Sequence, residues 1–191
     1  LLGYAQGWEL LMQSVTLHRM RGFSLIEMIV GLGIMLALLL VTVPNVRSYM
    51  TDSRIRAAAQ AYYSAAQLAR AEAVRRNSNV QIVLTNVPNA SPPEASMHGL
   101  GWAVLAGSEL VDSQAPRQLS ASALQVQADV AVVDFDSSGA SSVRQTVKFS
   151  DAASDSCYPD GPRCLHILIS RGGQVRLCDP AVSGNDDNRK C

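Results

Sequence analysis

The chain has 191 residues, and its 16 Lys+Arg balance 16 Asp+Glu, so the formal charge at pH 7 is zero. That length leaves room for one anchor and one modest globular domain and argues against two soluble domains. A neutral balance excludes a chain-wide electrostatic footprint for nucleic acid, so any basic patch must be local.

Residues 1–22 carry Trp8 and the apolar pairs Leu1-Leu2 and Leu10-Leu11, too short and irregular for a domain, and are read as a leader. Met12 and Met20 are both candidate starts, and a leader from Met12 to Gly22 already supplies a basic flank. The apolar run Phe23 to Val43 follows, 21 residues. As a helix it extends about 31 Å, the thickness of a bilayer's hydrocarbon core. Arg19 and Arg21 precede it, with His18 beside them, and Arg47 follows. This bias keeps the N-terminal side cytoplasmic and the body of the protein outside. A secretory signal peptide would have a shorter apolar region and a small-residue cleavage site, whereas here the run ends in Pro44-Asn45-Val46-Arg47.

Glu27 stands five residues into this run. A charged residue costs about 2.5 to 3.5 kcal/mol at the centre of a membrane helix and less near an end, so a partner is expected. An ordinary anchor offers none. Cleavage after Gly22 would create an α-amino group on Phe23, which the Glu27 of a neighbouring chain could meet in a helical bundle.

Pro44 is expected to kink or interrupt the helix, and Gly31 and Gly33 to soften its first half. Beyond it Ile55, Ala59, Tyr62, Ala66, Ala69 and Ala73 recur at spacings of four and three, one apolar stripe of small residues suited to lie against a sheet. Arg56, Gln60, Gln67 and Arg70 then face water or neighbours, and Asn77-Ser78-Asn79 ends the helix. From Phe23 to Asn77 a continuous helix would measure about 82 Å, a length that suits a filament subunit better than an enzyme.

Strands are expected at Val80–Leu84, Trp102–Ala106, Val130–Phe135, Val143–Phe149, Cys164–Ser170 and Gln174–Cys178, each short and rich in branched or aromatic residues. Val143, Val147 and Phe149 share a face with Gln145, while Arg144, Thr146 and Lys148 take the other. Arg171-Gly172-Gly173 supplies the glycines of a tight hairpin between the last two strands. There Val175 and Leu177 point one way and Gln174, Arg176 and Cys178 the other. Residues 87–99 and 150–161 read as surface loops.

All four cysteines, Cys157, Cys164, Cys178 and Cys191, follow the apolar run, in the compartment the charge bias places outside, and read as disulfides. Of three connectivities, local pairing of Cys157 with Cys164 and Cys178 with Cys191 is favoured, because it closes short loops rich in Pro, Gly, Asp and Asn. The second bridge contributes about 3 kcal/mol in the chain-entropy model. Cys164-Leu165-His166 also puts a thiol near an imidazole, but it lacks the paired C-x-x-C spacing of structural zinc sites, so no metal site is assigned.

Enzymatic chemistry finds no footing. There are three histidines, His18, His98 and His166, and no nucleophile elbow, phosphate-binding loop or metal-ligand helix. His166 reads as a packed or edge histidine. Asp134 and Asp136, next to Ser137-Ser138-Gly139, read as a turn entry. No catalytic residue and no cofactor is assigned.

Gly22-Phe23-Ser24-Leu25-Ile26-Glu27 resembles the processing site of type IV prepilins, with Ser24 where the family often has Thr. Residues 65–78, Ala-Ala-Gln-Leu-Ala-Arg-Ala-Glu-Ala-Val-Arg-Arg-Asn-Ser, and 172–178, Gly-Gly-Gln-Val-Arg-Leu-Cys, narrow the likeness to the FimT/GspH group of minor pilins and pseudopilins. The resemblance implies an α+β type IV pilin fold: a long N-terminal helix, transmembrane in one half and amphipathic in the other, packed on a C-terminal antiparallel β-sheet domain. Residues 1–22 are then the leader, 23–43 the transmembrane and assembly helix, 44–78 the amphipathic half and 79–191 the globular domain. A prepilin peptidase would cut between Gly22 and Phe23, Phe23 would be N-methylated, and Glu27 would direct docking. The protein would sit in the bacterial inner membrane as a single-pass chain with a periplasmic domain, then join other subunits in a pilus or pseudopilus.

Three roles follow from the likeness: a minor pilin in pilus assembly, a DNA-binding minor pilin in uptake, and a GspH-like pseudopilin of type II secretion. The group's DNA-binding feature is Gly-Arg-x-Arg near the C-terminus. Here it aligns with Gly173-Gln174-Val175-Arg176, which lacks the first arginine. Arg171 before the turn, and Arg189 and Lys190 drawn back by the second bridge, are the candidates to compensate, with Asp179, Asp186 and Asp187 opposing them. The helix cations Arg54, Arg56, Arg70, Arg75 and Arg76 are expected to pack against acidic surfaces of neighbouring subunits.

Overall fold

The computed structural model describes residues 23–115, 124–154, 157–158, 161–183, 187 and 189–191, with backbone alone for 41–45 and 47–48. The chain divides into two compact units, Leu1–Thr42 and Val43–Cys191.

Among the described residues a single helix, α1, is assigned from Leu25 to Arg76. Ser24 precedes it, and its carbonyl accepts the backbone N–H groups of Glu27 at 3.0 Å and Met28 at 3.2 Å. Pro44, where a kink or an interruption is expected, does not end the helix. One missing N–H removes one hydrogen bond of the ladder, and the turns on either side keep theirs. The end is a Schellman motif: Asn77 takes the left-handed conformation at φ 49°, Ser78 N–H returns to Ala73 O and Asn77 N–H to Val74 O. Asparagine tolerates this better than most residues, which is why the Asn-Ser-Asn stop works.

In the first unit every described side chain from Phe23 to Leu40 is exposed. Leu25, Ile29, Leu32, Leu36 and Leu40 stand alongside Ile26, Met28, Val30 and Met35 as exposed large apolar groups, so no face of this stretch is polar. Among the described residues no helix is long and apolar enough to cross a membrane. The expected span of 23–43 is described only in part: α1 starts at Leu25 and side chains are described as far as Leu40. That stretch is about 24 Å long, short of a hydrocarbon core of about 30 Å. Val41, Thr42 and Val43 have side chains outside the described set.

The second unit holds two four-stranded antiparallel sheets. The strands are β1 (Val80–Thr85), β2 (Gly101–Ala106), β3 (Glu109–Gln114), β4 (Leu124–Ala128), β5 (Val132–Phe135), β6 (Gln145–Asp151), β7 (Leu165–Ile169) and β8 (Val175–Cys178). One sheet has the order β3-β2-β1-β5 and the other β4-β6-β7-β8. All six expected stripe residues of α1 are buried, from Ile55 at 1 % to Ala73 at 0 %. They join one apolar cluster with Val80, Ile82, Val104, Val133 and Phe135 of the first sheet and Val126, Val147, Phe149, Ile167 and Ile169 of the second. Tyr62 meets Phe149 with ring centroids 6.1 Å apart and planes tilted by 51°. Alanines elsewhere on the stripe keep the helix surface low where two sheets must reach it.

Of the eight strands among the described residues, six match the sequence reading to within a few residues. β3, Glu-Leu-Val-Asp-Ser-Gln, is an edge strand whose side chains are all exposed or half-buried, so it carries no apolar alternation to detect. β4 did carry one: Leu124, Val126 and Ala128 are buried and Gln125 and Gln127 are not, but the run is short and poor in branched residues. Ser150 and Asp151, read as loop, extend β6. Gln145 fills its buried place by donating from Nε2 to Val130 O at 2.6 Å.

Candidate functional site

Three regions carry the residues that sequence reading singled out. The first is the entry to α1. Gly22 lies outside the described residues, and Phe23 is 76 % exposed. Ser24 occupies the cap position and Glu27 the first turn, the S-x-x-E spacing of a capping box. A carboxylate here lies at the positive end of the helix dipole. Its cost in an apolar setting is therefore partly offset within its own chain, a feature the sequence reading missed although Ser24 and Glu27 were in view.

The second region is where α1, the β5–β6 turn and the β7–β8 hairpin meet. Asp136 organises the turn, accepting hydrogen bonds from Ser138 N and Oγ and from Ala140 N. These contacts hold its carboxyl below the usual range, the Ser138 hydroxyl contributing most. Gly139 (φ 77°) then offers its carbonyl to Arg70 Nε at 3.1 Å. Gly173 (φ 73°) of the hairpin packs onto the same carbonyl, and Arg171 O accepts Ser141 N–H at 2.9 Å. Arg70 is exposed, as expected, and is also a tie between helix and turn.

One turn further on, Glu72 bonds Arg75 and Arg76 at 2.6 and 2.8 Å, and Arg76 also holds Glu109 of β3 at 2.6 Å. Arg75 and Arg76, which are expected to reach neighbouring subunits, make these ion pairs inside the chain. Hydrogen bonds from Arg75 and then Arg76 hold the Glu72 carboxyl down at about 2, against an ordinary 4.5. A carboxyl lowered on folding stabilises the fold fully above its unfolded value and progressively less as pH falls toward its folded one. The thermal midpoint should therefore drop as pH falls from about 4.5 to about 2, and Glu72→Gln should flatten part of that slope; identical profiles would exclude the network from acid sensitivity.

The third region is the C-terminal tail. Cys157 is bonded to Cys164 and Cys178 to Cys191, the local connectivity. With its sulfur in a bridge, Cys164 offers no thiolate beside His166. His166 lies on β7 opposite Lys148, and burial, then that lysine, lower its pKa while Asp179 opposes them. The second bridge turns the tail back onto β8: Asp179 N–H donates to Arg189 O at 2.7 Å, and Arg176 Nη2 donates to Lys190 O at 3.4 Å. Cys178, expected on the solvent face beside Arg176, is 2 % exposed because the returning tail covers it.

Of the four cationic candidates, Arg176, Arg189 and Lys190 are gathered at this clamp, while Arg171 stands in the hairpin turn. Arg189 is paired with Asp187 at 2.7 Å, which holds that carboxyl at about 2. The buried Asp179 is satisfied by Arg163 at 2.8 Å and by Ala181 N–H at 2.9 Å. Asp186 lies outside the described residues.

An apolar N-terminal helix continuing into an alanine-striped half, packed on antiparallel sheets, defines the type IV pilin fold. Residues 58–173, more than half of the chain, match the family described as Type II transport protein GspH, and the chain belongs to that family. It is a minor pilin or pseudopilin of the FimT/GspH kind. Among solved structures the chain is similar to the type IV minor pilin FimU of Pseudomonas aeruginosa, with 17% identity, TM-score 0.49, and coverage of 70% of this chain and 94% of that one. It is also similar to the minor pseudopilin EpsH from the Type 2 Secretion System of Vibrio cholerae, with 12% identity, TM-score 0.47, and coverage of 68% and 99%. No curated protein matches the chain in sequence.

Proposed function

We propose that this chain is a minor pilin that enters a type IV pilus after prepilin processing and acts in its assembly. The observation that carries this reading is the stretch Leu25–Leu40, apolar on every face and exposed along its described length. A helix that is hydrophobic all round belongs in a membrane or among other helices. Both settings are needed by a subunit stored in the inner membrane and then drawn into a filament. Cleavage between Gly22 and Phe23, methylation of Phe23 and docking through Glu27 supply the transfer between them, with the β-domain on the periplasmic side. Co-isolation of the tagged chain with sheared surface filaments tests it; a chain that stays wholly in the membrane fraction of a piliated cell overturns it.

The family's own description favours a second reading, a GspH-like pseudopilin of type II secretion, with the same anchor and different partners. Deleting the gene separates the two: loss of surface pili supports the first, and loss of protein secretion with pili intact supports the second.

A DNA-binding role draws support from Arg176, exposed on β8 beside Lys190. Contacts there would be to phosphates and independent of sequence. Salt-dependent mobility shift is the measurement. Arg176→Ala should weaken binding by about tenfold, the loss of roughly one charge-assisted contact, with Arg70→Ala having little effect. No shift at low salt, or equal losses from both changes, removes this reading.

A further inference from the structure

Three of the five helix cations expected to face neighbouring subunits are used inside the chain: Arg70 on Gly139, and Arg75 and Arg76 on Glu72 and Glu109. Arg56 differs. It is exposed, and among the described residues no carboxylate pairs with it. Gln60, one turn along on the same face, is exposed too.

Both side chains line a groove of about 220 Å³ between α1 and the tail clamp, with Arg163, Asp179 and Arg189 opposite. The groove's charge is uneven. Arg163 is matched by Asp179 at 2.8 Å and Arg189 by Asp187 at 2.7 Å, so the guanidinium of Arg56 is the cation left over among the described residues. Leu165 and Leu177, half-buried, give the same groove an apolar wall.

We infer that this groove docks a carboxylate side chain, Asp or Glu, carried by another protein subunit. A guanidinium fork takes a planar carboxylate through two parallel hydrogen bonds. The Gln60 amide adds a third donor, and the leucines accept the methylenes that carry the acid. A nucleic acid fits less well. Its phosphates would arrive in series at a groove that offers a single unmatched cation. The groove's volume also admits a side chain more readily than a strand. The inference deepens the assembly reading, on which it rests only for the identity of the partner.

The test uses the full chain in detergent micelles and a fluorescently labelled pentaglutamate peptide, read by anisotropy. Binding should weaken by about tenfold in Arg56→Gln, the loss of one charge-assisted contact. It should persist in Arg144→Gln, an exposed cation on the β-domain, and unlabelled pentaglutamine should not compete. Absence of binding to the native chain, unchanged binding in Arg56→Gln, or equal losses in both variants overturns the inference. Displacement of the peptide by short oligothymidylate also overturns it and assigns the groove to nucleic acid. Recovery of the native chain in filaments reports separately on assembly. A peptide that fails to bind while incorporation proceeds removes the groove alone.

Discussion

Gly173→Ala should destabilise the second unit by about 3 kcal/mol, the range of substitutions that combine a disallowed backbone conformation with a steric clash. Gly173 sits at φ 73°, where an L side chain is strained, and a Cβ built there would fall on the carbonyl of Gly139 and within 3.2 Å of Arg70 Nε. The obstruction is backbone on one side and a committed side chain on the other, so neither yields cheaply. Relief would require the hairpin to lift from the β5–β6 turn, which would break the Ser141–Arg171 bond. Gly172→Ala is the control: its Cβ would meet only Ser170 Oγ at 3.8 Å, an ordinary contact. Thermal unfolding of both variants decides the matter, and equal midpoints would show that this three-way junction contributes little.

Glu27→Leu should leave the chain in the membrane and cut its recovery in filaments on the order of a hundredfold, taking about 2.5 to 3.5 kcal/mol as the scale of a charge's interaction with an apolar helix environment. Removing the acid makes the helix easier to keep in lipid, so a fall in assembly without a fall in membrane retention would isolate docking. Glu27→Gln refines the result. Glutamine also serves at the third position of a capping box, so it preserves a role in the Ser24 cap while removing the charge. If docking depends on a pair with the new α-amino group of Phe23, glutamine should fail as leucine does. Wild-type recovery of the glutamine variant would show that helix capping, not charge pairing, is what Glu27 supplies.

The two regions differ in how far they could be read in advance. The stripe Ile55, Ala59, Tyr62, Ala66, Ala69 and Ala73 was legible because burial on one helix face imposes a period that survives in the sequence. The helix stop at Asn77 was legible for the same kind of reason, since few residues accept a left-handed conformation. β3 was not, because an edge strand has no buried face to enforce alternation. The cationic candidates were the least legible. Whether an arginine is available depends on which carboxylate the fold brings beside it, and Glu109 lies 33 residues from Arg76. Nor does local alternation foretell that a returning tail buries Cys178.

What the sequence by itself determined is local and periodic: an apolar N-terminal run with one acid in its first turn, an alanine-striped half-helix and its stop, six of the eight strands, and short-range disulfides whose loops need little closure entropy. What only the tertiary structure decided is pairwise and long-range. It divides the strands between two sheets, draws Arg70, Gly139 and Gly173 to one point, consumes Arg75, Arg76 and Arg189 in ion pairs, and leaves Arg56 facing a groove. The physical reason is that a backbone preference is written into a residue and its near neighbours, whereas a charge's partner is set by the path of the whole chain.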